Sequence, residues 1–118
     1  MLKTILLLSS LALGALAPAA VEAKSSCGIA SYYGPGFHGR TTANGERFDA
    51  YGLSAAHRSL PFGTMVKVTN QSNGKSVVLK INDDGPHYGN RIIDLSEGAF
   101  ARIASTGQGL ANVCISKI

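Results

Sequence analysis

The chain has 118 residues, with eleven Lys and Arg against seven Asp and Glu for a formal charge of +4, fourteen glycines, two cysteines and no tryptophan. That length leaves room for one small domain with one core and excludes two. The bases are scattered along the chain, which argues against a nucleic-acid surface, while a mild positive charge suits an anionic partner such as a cell-wall polymer and equally suits plain solubility.

Residues 1–23, MLKTILLLSSLALGALAPAAVEA, begin with Lys3 in a basic stretch, run apolar from Ile5 to about Ala17 and end on small residues. This is the order of a secretory signal peptide, and the apolar run falls short of the roughly 20 residues that span a membrane. Cleavage after Ala23 is expected, leaving residues 24–118 as one exported, soluble domain. Loss of Lys3 and Glu22 together keeps the net charge at +4. A lipid anchor would need a Leu-small-small-Cys box, and Cys27 follows Lys24-Ser25-Ser26 instead, so no stable membrane anchor is expected.

Cys27 near the mature start and Cys114 near the end are the natural partners of a disulfide in an exported chain. Free or metal-binding thiols are the rival, but the pair lacks the close spacing of a zinc site.

Along the mature chain the main signal is short strands broken by turn residues. GIASYYG (28–34), GTMVKVTN (63–70), KSVVLKIND (75–83), RIIDL (91–95) and ANVCISKI (111–118) read as strands. Asn73-Gly74 is a strong hairpin signal between the second and third. SEGAFARIAS (96–105) reads as a helix capped by Ser96, with Ala99, Phe100 and Ile103 on one face. LSAAHRSL (53–60) is expected to hold a single helical turn ended by Pro61. Many strands, one or two short helices and abundant glycine argue for a small mostly-β barrel whose connections cross over it.

The acids are few, and three fall within INDDGPHYGNRIIDLS (81–96). Each carboxylate has an ordinary reading. Glu46 and Asp49 follow the turn residues Asn44-Gly45, Asp83 sits in a turn-like Asn-Asp-Asp-Gly-Pro run, and Asp94 could cap the helix that follows. His57 could be a buried histidine satisfied by one hydrogen bond. His38, His57 and His87 match no metal-ligand spacing, so no metal and no cofactor is expected.

Three stretches together, ASYYGPGFHGRTTANGERFD, LSAAHRSLPFGTMVKVTNQSNGKSVVLKINDDGP and RIIDLSEGAF, closely resemble the rare lipoprotein A family across essentially all of residues 28–118. The resemblance implies a six-stranded double-psi β-barrel of the kind also found in expansins and barwin. It implies a bacterial, periplasmic or extracellular lytic transglycosylase that cuts peptidoglycan glycan strands, those lacking stem peptides, to 1,6-anhydro-N-acetylmuramic acid ends. It points to Glu46, Asp49, His57, Asp83 and Asp94 as catalytic candidates. Tyr33, Phe37, Arg40, Asn82, Tyr88 and Arg91 become candidates for contacting glycan. A monomer acting on peptidoglycan, without nucleic acid, is the expected state.

Glycosidic cleavage needs a carboxylic acid with a raised pKa and a second negative charge to steady an oxocarbenium-like transition state. In a lytic transglycosylase the sugar's own 6-hydroxyl then closes the ring in place of water. One departure stands out: Asp84 occupies the place where the family usually has an arginine. Two rival readings remain, an expansin-like protein that binds and loosens wall polymer without cleavage, and a barwin-like binding or inhibitory module.

Overall fold

In the computed structural model, which describes residues 25–118, six strands close into a barrel. The expected leader lies outside the described residues. The strands are β1 (Ser25–Tyr32), β2 (Ser54–Ala56), β3 (Met65–Asn70), β4 (Ser76–Asp83), β5 (Arg91–Leu95) and β6 (Ala111–Lys117). Their order around the barrel is β1-β5-β2-β4-β3-β6. The β1–β5 and β2–β4 pairs are parallel and the other four antiparallel, and apart from β3 and β4 no two consecutive strands are neighbours, so the connections cross over the barrel as the long loops of the sequence imply.

Alternation of side chains explains most of these strands. Val66 and Val68 on β3, Val77, Leu79 and Ile81 on β4, and Val113 and Ile115 on β6 fill the barrel, while Met65, Lys67 and Val78 face out. β3 and β4 form the expected hairpin, with Gly74 at φ 76° supplying the left-handed turn residue. One helix, α1 (Glu97–Ile103), closes an end of the barrel with Ala99, Phe100 and Ile103 buried. The Ser96 hydroxyl caps it by accepting from the Ala99 N–H at 3.2 Å and donates to the Gly52 carbonyl at 2.7 Å. Only glycine fits at position 98, where a Cβ would lie 2.6 Å from the Tyr51 carbonyl oxygen.

The segment 53–60 departs from expectation. In place of a helical turn it supplies β2, wedged between β4 and β5 with all three residues buried. Ser54-Ala55-Ala56 has no polar-apolar alternation and weak strand propensity, so pairing on both edges decides its conformation.

Cys27 and Cys114 face each other across β1 and β6 and form a disulfide. It closes a loop of 87 residues, a constraint worth on the order of 4 kcal/mol against the unfolded chain in the entropic account.

Candidate active site

A cleft forms on the outside of the barrel where four strands present one row of residues. Ser31 on β1 pairs with Asp94 on β5, Asp94 pairs with Ala56 on β2, and Ala56 pairs with Asp83 on β4. The two aspartates therefore sit two strand spacings apart, about 10 Å between backbones. Ala56, the smallest side chain that could stand between them, leaves the space open.

Asp83 reaches this row because β4 carries a bulge. Ala55 pairs with Ile81 inside the barrel, and the next residue of β2, Ala56, pairs with Asp83, so Asn82 is the extra residue. Without it, the alternation that buries Ile81 would turn Asp83 inward as well.

The cleft has a volume of about 360 Å³. One wall comes from the segment after β1, including Tyr33, Phe37, Arg40 and Thr42, and the other from Asp84 to Tyr88 after β4. Beneath the first wall, Tyr33, Phe48, Ala50 and Ala56 pack into a small second core, with the Tyr33 and Phe48 rings 4.3 Å apart. The other wall is pinned by Arg58, whose Nη1 donates to the Pro86 carbonyl at 2.6 Å and the Arg91 carbonyl at 2.9 Å.

The two aspartates have unlike surroundings. Asp83 Oδ2 accepts from the Tyr33 hydroxyl at 2.7 Å, and Oδ1 accepts from the amides of Ala43 and Asp84, both at 2.9 Å. Both oxygens serve as acceptors, which is the pattern of an ionised carboxylate. Tyr33 is held protonated, its pKa raised above the usual phenol value by burial and then by the bond to Asp83. Asp94 accepts one bond, from the Ser31 hydroxyl at 3.1 Å. Burial raises its pKa above the ordinary aspartate value, and the nearby Asp83 charge adds to this, while Ser31 and Arg91 act against it.

Of the five catalytic candidates, Asp83 and Asp94 line the cleft. Glu46, Asp49 and His57 lie outside its lining. Glu46 bonds Lys80 Nζ at 2.6 Å and Asn82 Nδ2 at 3.0 Å, and the Lys80 bond chiefly lowers its pKa. Asp49 accepts from the Tyr51 amide two residues on, closing a local turn. His57 Nδ1 accepts from the amides of Ser59 and Leu60, and burial lowers its pKa, so the ring is neutral with its proton on Nε2. It borders a separate cavity of about 280 Å³ with Ser25, Ser59 and Lys117.

Among the candidate glycan contacts, Tyr33, Phe37, Arg40 and Tyr88 line the cleft. Tyr33 is buried, so its ring supports the wall from behind, whereas Phe37 is 45% and Tyr88 61% exposed. Each exposed ring carries an arginine: Arg40 lies 5.6 Å from the Phe37 centroid and Arg91 4.9 Å from that of Tyr88. Asn82 is buried against Glu46. Asp84 lies on the rim, its carboxylate 3.4 Å from His87 Nε2. Among the described residues no group of three or more His, Cys, Asp or Glu could hold a metal ion.

Ser31, Ala56 and Arg58 were not singled out from the sequence. A serine and an alanine on short strands carry no chemical signal, and the carbonyl partners of Arg58 lie 28 and 33 residues away.

Residues 25–115 match the family model described as lytic transglycolase. The chain is 64% identical over 88 residues to a probable endolytic peptidoglycan transglycosylase RlpA of Synechocystis sp., covering 75% of this chain and 27% of that protein. It is 50% identical over 91 residues to the endolytic peptidoglycan transglycosylase RlpA of Neisseria meningitidis, covering 77% and 38%. The chain thus spans roughly a quarter to two fifths of the length of the curated relatives it matches. Among solved structures, the Streptomyces papain inhibitor superposes with a TM-score of 0.65 at 24% identity over 80% of this chain and 94% of that one. An expansin mutant of Clavibacter michiganensis in complex with cellohexaose also superposes with a TM-score of 0.65, at 19% identity over 80% of this chain and 50% of that one. With the six-stranded closed topology, these likenesses establish the fold as a double-psi β-barrel.

Proposed function

The chain belongs to the lytic transglycolase family, and from that premise we propose that it is an exported lytic transglycosylase cleaving peptidoglycan glycan strands. The observation that supports this reading is the pair of unlike aspartates in one cleft: burial raises the pKa of Asp94, whereas Asp83 is met by three donors. Further support comes from the curated relatives, whose names state this activity for the longer proteins.

In this reading Asp94 gives its proton to the glycosidic oxygen as the bond from that oxygen to the anomeric carbon breaks. The Asp83 carboxylate steadies the positive charge that develops on the sugar. The 6-hydroxyl of the same muramic acid then attacks the anomeric carbon, and its proton returns to Asp94. The products are a free hydroxyl on one fragment and a 1,6-anhydro ring on the other. No water is consumed and the enzyme is regenerated.

Phe37 and Tyr88 offer flat faces to sugar rings from opposite walls. Arg40 and Arg91 beside them supply donors and positive charge for the lactyl carboxylates exposed on strands that have lost their stem peptides. The leader at residues 1–23 would deliver the domain to the wall. Among the described residues no helix is long and apolar enough to cross a membrane.

The test is digestion of sacculi by the purified protein, with and without prior amidase removal of stem peptides, followed by mass spectrometry of soluble products. Products ending in 1,6-anhydro-N-acetylmuramic acid, lost in Asp94→Asn and Asp83→Asn, are expected. Glycan bound without any anhydro product would replace this reading with the expansin-like one and make Asp84 the first residue to restore to arginine.

A further inference from the structure

Glu46 touches neither aspartate, yet its contacts lead to one of them. Residues Thr41 to Arg47 form a small hairpin, with a bridge between its end residues. Inside it the Thr42 amide donates to the Glu46 carbonyl at 2.8 Å and the Gly45 amide to the Thr42 carbonyl at 2.9 Å. The Thr42 hydroxyl and the Glu46 amide both bond Asn44 Oδ1. The hairpin is therefore braced internally, and its placement depends on what ties it to the barrel.

Phe48, just beyond the hairpin, anchors its base in the second core, and among the described residues the hydrogen bonds of the hairpin itself to the barrel all go to β4, at Lys80, Asn82 and Asp83. Glu46 Oε2 meets Lys80 Nζ, Glu46 Oε1 meets Asn82 Nδ2, the Asn44 amide donates to the Asn82 carbonyl at 3.2 Å, and the Ala43 amide donates to Asp83 Oδ1. The first two bonds come from one side chain, and the last lands on a cleft carboxylate. Asn82 is the bulge residue that turns Asp83 outward, and it is 4% exposed. Among the described residues its Oδ1 meets no donor and Glu46 is the one group that bonds its carboxamide.

We propose that Glu46 is a positioning residue: its carboxylate straps the hairpin to Lys80 and Asn82, which keeps the Ala43 amide on Asp83 and the β4 bulge in register. It acts on the chemistry through Asp83 and donates no proton to substrate. The lowered pKa of Glu46 agrees with this, since a side chain held ionised is a poor proton donor. The inference rests on the reading of Asp83 as a working carboxylate.

A charge swap separates a strap from a proton donor. Glu46→Lys and Lys80→Glu each place like charges together, and the double variant restores an ion pair across the same gap. Each reversal alone is expected to lower kcat by roughly tenfold with KM little changed, and the double variant to regain most of that loss. Lys80→Met, which loosens the strap without repulsion, covers the case in which a reversal unfolds the protein.

Hydrogen exchange at the Ala43 amide, followed by NMR, reads the strap without any need for catalysis. Exchange is expected to quicken in the single variants and slow again in the double. A double variant as inactive as Glu46→Lys, or Ala43 exchange unchanged in all the single variants, would overturn the proposal. If the unmodified protein releases no anhydro product, the transglycosylase reading fails by itself, and the exchange experiment still decides the strap.

Discussion

The ends of β4 and β5 lie on one row of the barrel, yet they treat their aspartates in opposite ways. At the β4 end a bulge, a hairpin and a buried tyrosine converge, and Asp83 is met by three donors. At the β5 end Asp94 stands between the buried Ile93 and Leu95 with one serine as donor, and burial dominates its titration. Equal side chains thus stand in unlike surroundings, and the proposed mechanism uses one as a charge and the other as a proton store, the division that glycosidic cleavage needs. Ala56 keeps the two apart without filling the cleft.

Removing the proton store is the sharpest way to break this pairing. Asp94→Asn is expected to lower the cleavage rate by roughly a thousandfold, the scale of a lost general acid, with glycan binding retained in a sedimentation assay. Tyr33→Phe comes next, because it keeps the ring packed on Phe48 while deleting the hydroxyl that meets Asp83. A hydrogen bond to a charged group is worth about 2 kcal/mol, so kcat should fall by roughly thirtyfold. Arg58→Met frees the Pro86 and Arg91 carbonyls and loosens the wall that carries Tyr88. Its effect is expected mainly in KM, by about threefold to tenfold, in initial-rate measurements.

The smallest effect is on stability. Because folding raises the Asp94 pKa, the folded protein holds this proton at pH values where the unfolded chain has released it. The contribution of Asp94 is thus full below the ordinary aspartate value and is lost as pH climbs through the raised one. Glu46, with its lowered pKa, acts in the opposite sense, so the prediction is the difference: across that window the advantage of the unmodified protein over Asp94→Asn in denaturant midpoint should shrink as pH rises.

Much of the barrel could be read from the chain because β3, β4 and β6 alternate apolar and polar residues around a single interior, and Asn-Gly marks the hairpin. β2 could not, since its conformation comes from two neighbours far away in sequence. The candidate site was legible as a set of acids, and the difference in their surroundings was not. Glu46 and Asp83 both follow turn-like residues and look alike locally; what separates them is contact with Lys80 and Asn82 in one case and with Tyr33 and Ala43 in the other. The family pattern likewise marks the position of Asp84, but the pairing of this residue with His87 appears only in three dimensions.

The most direct measurement is a carbon-detected NMR titration of the Asp94 side-chain carboxyl, run beside the pH dependence of kcat/KM on amidase-treated glycan strands. The account predicts that Asp94 titrates above the ordinary aspartate range and that the rate falls with rising pH through the same midpoint. An Asp94 that is already ionised throughout the range where the enzyme cleaves would contradict it.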